Sequence, residues 1–229
     1  MNNIKNGDYI WESWGRGYYF NGNNYPGVGS ILKETMSAAN KRSLDNWRKR
    51  VGKDEAEKIS SEARTNGTNW HNFLDLFVQK KYSDAQNLLA GDANLRAIYV
   101  SSRNFLLQFA KVTDQVLTEK PIYSQTYGYA GTFDCVAIAN NEKILLDWKT
   151  SRKQKKEQYV SDYYLQVAAY CTAVEEMEQE KLDRATIVVF YNFKQPDIFK
   201  LSREDLDFQF QLFKNRLDKF YEIYPSQLS

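Results

Sequence analysis

Histidine and cysteine are scarce in this chain of 229 residues, which has one histidine, His71, and two cysteines, Cys135 and Cys171. Two thiols cannot build a disulfide scaffold, a four-thiolate zinc site or a cysteine-ligated iron–sulfur cluster. One imidazole excludes metal sites made of two or three histidines. Any metal here must be held mainly by carboxylates, which select hard cations such as Mg²⁺ or Mn²⁺. Long apolar runs are also missing. None exceeds five residues, Ile187–Tyr191 being one of that length, against the ~20 that a membrane helix needs. The opening Met1-Asn2-Asn3-Ile4-Lys5 has neither the basic-then-apolar pattern of a signal peptide nor the Arg/Ser-rich pattern of a transit peptide. A soluble cytoplasmic protein without a membrane partner is expected.

What is present points to an ordered α/β chain. It is 42% hydrophobic and 26% charged, too apolar and too evenly mixed for disorder. One domain over residues 1–229 is expected, with a mainly helical part over 1–110 and a core over 111–229. The net charge is only +2, but basic residues cluster. Lys41–Lys53 holds six (Arg48 and Arg50 among them) against the single acid Asp45, and Lys149–Lys156 holds five and no acid. Solvated helix faces also produce such runs, yet two of them beside sixteen tyrosines and five tryptophans lean towards a nucleic-acid polyanion.

Residue patterns set the expected order of elements. Aromatic, glycine-rich Tyr9–Tyr25 reads as a strand pair, with Trp11, Trp14, Tyr18 and Tyr19 placed in the core. Pro26–Ser30 reads as a turn in which Ser30 caps a helix starting at Ile31. Helices are expected near 43–51, 53–65, 67–80 and 92–110. In the third, Trp70, Phe73, Leu74, Phe77 and Val78 form an apolar stripe, and His71 lies at its edge. From Val112 to Lys149 the pattern is strand, broken by Pro121 and a Gly128–Gly131 turn. A helix over about 158–177 follows, its core face marked by Val160, Tyr164, Val167, Cys171 and Val174. Gln166 and Tyr170 fall on a second face with Tyr159 and Tyr163. A strand over Ala185–Tyr191, a partner strand over Ile198–Leu201 and a closing helix over 203–223 complete an α/β sandwich around a mixed sheet.

The chemistry concentrates in Gly131-Thr132-Phe133-Asp134 and Asp147-Trp148-Lys149. Asn140-Asn141 between them suits a two-residue hairpin loop, because asparagine tolerates positive φ. A hairpin centred there sets Asp134 opposite Asp147, with Cβ atoms ~5 Å apart. Lys149 shares their face and Trp148 points away. Facing carboxylates repel, so the arrangement needs a counter-charge, which a divalent cation supplies. Asp134 and Asp147 would ligate it, with the Trp148 carbonyl as a further ligand, for water activation and phosphate stabilisation. Lys149 would orient or deprotonate the water, or neutralise the phosphate. The acid-x-Lys triplet occurs once in the chain. The bland alternative is a solvent-facing hairpin carrying a surface salt bridge.

These segments, followed by Gln166-Val167-Ala168-Ala169-Tyr170, resemble the PD-(D/E)xK nuclease superfamily and its RecB-like branch, which shares the Gln-x-x-x-Tyr helix. Within that branch the chain is most similar to the mitochondrial genome maintenance exonuclease family and its phage and bacterial relatives. Gly67-Thr68-x-x-His71, Glu119 before Pro121-Ile122-Tyr123, and the Ile187-Val188-Val189 strand extend the likeness over most of the chain. The resemblance implies a restriction-endonuclease-like core and a Mg²⁺- or Mn²⁺-dependent deoxyribonuclease, an exonuclease acting on free single-stranded DNA ends in replication, repair or recombination. It implies Asp134 and Asp147 as metal ligands, Lys149 as the catalytic lysine, His71 as a further metal or phosphate contact and Glu119 as another acid of the site. Gln166 and Tyr170 would organise the site or touch the DNA backbone. Lys149, Ser151, Arg152, Lys153, Arg48, Arg50 and Tyr170 are the candidate nucleic-acid contacts. Asn66 stands where an arginine often precedes the Gly-Thr, and Asp75 where a glutamate often follows the histidine. The cysteine count excludes relatives with an iron–sulfur clasp, and a phage or bacterial form is expected. The alternatives are a structure-specific or restriction-like endonuclease, a non-catalytic nucleic-acid-binding module, or the nuclease subunit of a helicase complex.

Overall fold

A computed structural model describes residues 4–155 and 160–225. Lys156, Tyr159 and the first two residues of the helix expected from 158 lie outside the described residues. The chain opens with an antiparallel three-stranded sheet, β1 (Tyr9–Glu12), β2 (Gly15–Phe20) and β3 (Asn23–Pro26), and a short helix, α1 (Val28–Glu34). Four helices follow: α2 (Ala38–Val51), α3 (Lys53–Val78), α4 (Tyr82–Gly91) and α5 (Ala93–Val112). Then come β4 (Thr113–Ser124), β5 (Tyr129–Ala139), β6 (Glu142–Thr150), α6 (Ser161–Glu178), β7 (Arg184–Phe190), β8 (Asp197–Leu201) and α7 (Arg203–Ile223).

The second sheet has the order β4-β5-β6-β7-β8. Only β6 and β7 run parallel, joined by the crossover helix α6 as a parallel connection requires. The sheet is therefore mixed and flanked by helices, as the residue patterns indicate. Asn140 and Asn141 take φ of 51° and 66°, and the hairpin pairs Ala139 with Glu142 through to Cys135 with Leu146. The two faces carry separate cores. Val136, Leu145, Ile187 and Val189 pack against Val167, Cys171 and Val174 of α6 and Phe213 and Phe220 of α7. Ala137, Leu146, Trp148 and Val188 pack against Trp70, Phe73, Leu74 and Phe77 of α3, with Ile98 and Leu106 of α5. The reactive hairpin is thus in the middle of a covered sheet, and the surface salt-bridge alternative fails.

Several expectations need correction. Ser30 lies inside α1 and caps nothing; Gly27 is the N-cap and makes no side-chain bond, while Ser30 Oγ donates to the Arg16 carbonyl at 2.8 Å. The helices expected over 53–65 and 67–80 are one, α3, because the Trp70 stripe buries the far half strongly enough to carry the helix through Gly67. A mid-helix glycine costs only ~0.5–1 kcal/mol. Helix α4 falls in a stretch for which no separate helix is expected. Pro121 does not break β4, because β4 is an edge strand that can spare one N–H. Gly131 sits within β5 and not in a turn. Trp14 and Tyr18 are core residues, but Trp11 is 78% exposed. The closing helix begins where expected: Ser202 and Asp205 form a reciprocal capping box.

Candidate active site

Adjacent strands β4, β5 and β6 set three acids in one row. Glu119 lies between the Thr118–Cys135 and Lys120–Phe133 pairs and so faces Asp134. Asp147 lies one step beyond the last regular pair, Cys135–Leu146, and faces Asp134 from the other side. Regular pairing lapses along this row. Glu119 has a left-handed φ of 49°, and the Trp148 N–H donates to the Asp134 side chain (Oδ2, 2.6 Å). Asp134 and Asp147 are both buried, Asp147 to 1% exposure.

His71 reaches the row from α3. Its Nε2 donates to the Trp148 carbonyl at 2.9 Å, which can only accept, so the proton is fixed on that nitrogen. Nδ1 then faces Glu119 Oε1 and Asp134 Oδ1, each at 3.5 Å. A ligand atom from each of His71, Glu119 and Asp134 falls within 4.8 Å of the others. Two carboxylates at that separation repel by ~3 kcal/mol at an effective dielectric near 20, so the cluster calls for positive charge. Two side chains supply it. Burial works to lower the His71 pKa, but the hydrogen bond and charge of Asp134, with Glu119, push it up to about 10. Lys149 Nζ lies 2.8 Å from Asp147 Oδ1 and 2.7 Å from Oδ2.

The acids respond differently. Burial raises Asp147 to about 6, helped by the neighbouring Asp134 and opposed by Lys149. Burial also works on Asp134, but His71, Lys149 and the Trp148 N–H hold it below the ordinary value. Burial works to lower Lys149, yet Asp147 and Asp134 keep it raised, so it carries its proton. Its ammonium also sits 5.2 Å from the centre of the Tyr163 ring. Tyr163, expected on the same helix face as Gln166 and Tyr170, thus has a contact at the site itself. Its spacing of three and seven residues before Gln166 and Tyr170 is the signal that places it beside them.

Gln166 and Tyr170 meet: Gln166 Nε2 donates to the Tyr170 hydroxyl at 2.8 Å. The Tyr170 ring lies against the backbone of Gly131, where a Cβ would come within 2.4 Å of Tyr170 Cε1. The glycine three residues before Asp134 therefore lets α6 approach β5 at the row of acids. Both Gln166 and Tyr170 also line a groove of about 260 Å³ shared with the N-terminal sheet and α1.

The candidate nucleic-acid contacts are scattered. Ser151 Oγ donates to the Lys153 carbonyl, and Lys153 is exposed. Arg152 is paired with Glu62 of α3, which removes part of the positive charge expected of that segment. Arg48 and Arg50 are in the last turn of α2, a helix with no buried residue, and Arg48 lies 3.8 Å from Asp45.

The donor set fits a hard divalent cation. Carboxylates dominate it, the single imidazole presents Nδ1 to two of them, and Asp147 Oδ2 is buried with no aligned hydrogen-bond donor. The Trp148 carbonyl retains a second lone pair beyond the one His71 uses.

A mixed sheet with an acid on one strand and an acid-x-Lys triplet on the next defines a class of nucleases. The chain belongs to the PD-(D/E)XK nuclease superfamily, whose profile matches residues 48–222. It is similar to mitochondrial genome maintenance exonuclease 1 of Mus musculus, 29% identical over 159 residues that make up 66% of this chain and 45% of that protein. The Homo sapiens protein of the same name is 30% identical over 155 residues, 65% of this chain and 43% of its own length. The chain thus matches less than half the length of these relatives. A candidate exonuclease from Eubacterium rectale, known as a crystal structure, aligns with 11% identity and a TM-score of 0.46 over 72% of this chain and 69% of its own. No helix among the described residues is long and apolar enough to cross a membrane.

Proposed function

We propose that the chain is a divalent-metal-dependent exodeoxyribonuclease that degrades DNA from free single-stranded ends, serving replication, repair or recombination. The observation that carries this reading is the row Glu119–Asp134–Asp147, its two inner acids buried and Glu119 at its exposed end, flanked by His71 on one side and Lys149 on the other. Likeness to relatives that are themselves named exonucleases supports the preference for ends.

His71 Nδ1, Glu119, Asp134, Asp147 and the Trp148 carbonyl are the groups that would hold Mg²⁺ or Mn²⁺. Such an ion, when bound, supplies an acidified water and neutralises charge on the phosphate. The chain's own groups do the rest. The His71–Trp148 hydrogen bond fixes the imidazole tautomer, so Nδ1 keeps its lone pair directed at the acids whenever the ring is neutral. Lys149 enters as a proton-bearing cation, a donor for the non-bridging oxygens of the scissile phosphate. Tyr163 lies beside that ammonium and limits where it can swing. Gln166 and Tyr170 brace the wall of the site facing β5.

The test uses end-labelled linear single strands and covalently closed single-stranded circles, with Mg²⁺ or EDTA. Loss of the linear strand alone, only with Mg²⁺, is expected. Nicked circles would replace the exonuclease reading by an endonuclease, and binding without cleavage in Mg²⁺ or Mn²⁺ would replace it by a binding module.

A further inference from the structure

The site above leaves unused a groove on the far side of Gln166 and Tyr170, where the N-terminal sheet and α1 meet α6. Two cations, Arg16 and Lys33, line it, and no acidic side chain does; the Lys33 ammonium, 3.5 Å from Glu34 Oε1 just outside the lining, would exchange that exposed pairing for a phosphate. Arg16 is held rigidly. Its carbonyl accepts from Gly27 N at 3.2 Å and from Ser30 Oγ at 2.8 Å. Its guanidinium stacks 5.0 Å from the Tyr9 ring centre and 5.7 Å from that of Tyr18. Trp11 is the cross-strand partner of Arg16, and at 78% exposure it presents an open indole at the mouth. The exposed indole thus lies directly across the strand pair from the arginine that sits over the tyrosine rings. The groove then runs inward to Gln166 and Tyr170, whose ring touches Gly131 beside Asp134.

The geometry points to this groove as a path for a single DNA strand entering the row of acids, with a base stacked on Trp11 and phosphates held by Arg16 and Lys33. This rests on the nuclease reading of the site and adds where its substrate lies. Charge complementarity selects a polyanion. The open indole selects an unpaired strand, because every base offers a stacking face once it is freed from the duplex. The Tyr170 hydroxyl accepts from Gln166 and keeps its own hydrogen for a backbone oxygen at the inner end.

Binding of a fluorescent oligo-dT is measured in EDTA, so that nothing is cut, with KM for the same strand read in Mg²⁺. Trp11→Ala is expected to weaken binding roughly 5- to 150-fold, the range found for removing one base-stacking aromatic, and Trp11→Phe to restore most of it. Arg16→Gln and Lys33→Gln are each expected to lower the slope of log K against log salt by about 0.7, the value for one phosphate contact on a single strand. Trp11 and Lys33 lie outside the buried core, so these two variants keep the test valid if Arg16→Gln folds poorly. Variants that bind with wild-type affinity and salt slope, in a chain that cuts DNA, would overturn the groove and leave the nuclease reading intact. A wild-type chain that neither binds nor cuts would overturn both. A blunt duplex competing as well as the single strand would overturn the single-strand assignment.

Discussion

Replacing Gly131 by alanine would drive a methyl group into the ring of Tyr170. The added Cβ lies 2.4 Å from Cε1 and 3.2 Å from Cδ1 and Cζ, whereas carbon contacts settle at ~3.5–4.0 Å. The ring must therefore retreat by about 1 Å, yet it is buried and its hydroxyl is engaged by Gln166. Overpacking of this kind costs ~1–3 kcal/mol. At ~2–4 °C per kcal/mol for a chain of this size, Tm should fall by about 2–12 °C. Thermal unfolding of Gly131→Ala, Tyr170→Ala and the double variant forms a cycle. Tyr170→Ala alone opens a cavity and costs about 3–5 kcal/mol, as other buried aromatics do. In the double variant the methyl meets vacated space, so the cost of Gly131→Ala should disappear. An equal cost with and without the tyrosine ring would rule out the ring contact as its origin.

Other outcomes follow from the same contacts. Asp147 is raised to about 6 from 3.8, so its contribution to metal-free stability is complete below about pH 4 and lost as pH rises through 6. His71, raised to about 10 from 6.5, contributes fully below 6.5 and loses that contribution as pH rises through 10. The Tm of the metal-free chain should accordingly fall between pH 6.5 and 10, and His71→Gln should flatten that slope. Cation binding should run the other way: calorimetry with Mn²⁺ should show affinity falling as pH drops below about 10, where His71 takes up the proton that blocks Nδ1, and further through 6, where Asp147 takes up its own. Trp70 is fully buried and stacks 5.1 Å from Phe73 and edge-on 4.9 Å from Phe190. Trp70→Ala should cost ~3–5 kcal/mol in denaturant unfolding, the main-chain course of α3 being otherwise kept.

The hairpin was readable because its loop chemistry is local. Two adjacent asparagines at positive φ fix a two-residue loop, and the loop fixes which residues face each other for the whole length of both strands. The α3 stripe was readable for the same kind of reason, a helical period in one segment. Features decided by distant partners were not readable. Glu62, ninety residues from Arg152, neutralises a cation counted as free. Ser30 has the chemistry of a cap, but the Arg16 carbonyl claims its hydroxyl. Trp11 has the apolar bulk of a core residue, but its short strand Tyr9–Glu12 buries no side chain fully, and nothing in its own residues says that no layer covers it. The left-handed backbone at Glu119 is likewise set by the row it joins, since glutamate has no preference for that conformation.

Catalysis on a phosphodiester by the buried acids and their lysine neighbour is the step on which the proposed function depends. Its most direct measurement is the rate at which purified wild-type, Asp147→Ala and Lys149→Ala chains degrade a linear single strand in Mg²⁺, with folding of each checked by thermal melting. Degradation by the wild type and none above background by either folded variant is expected. Wild-type rates in both variants would contradict it.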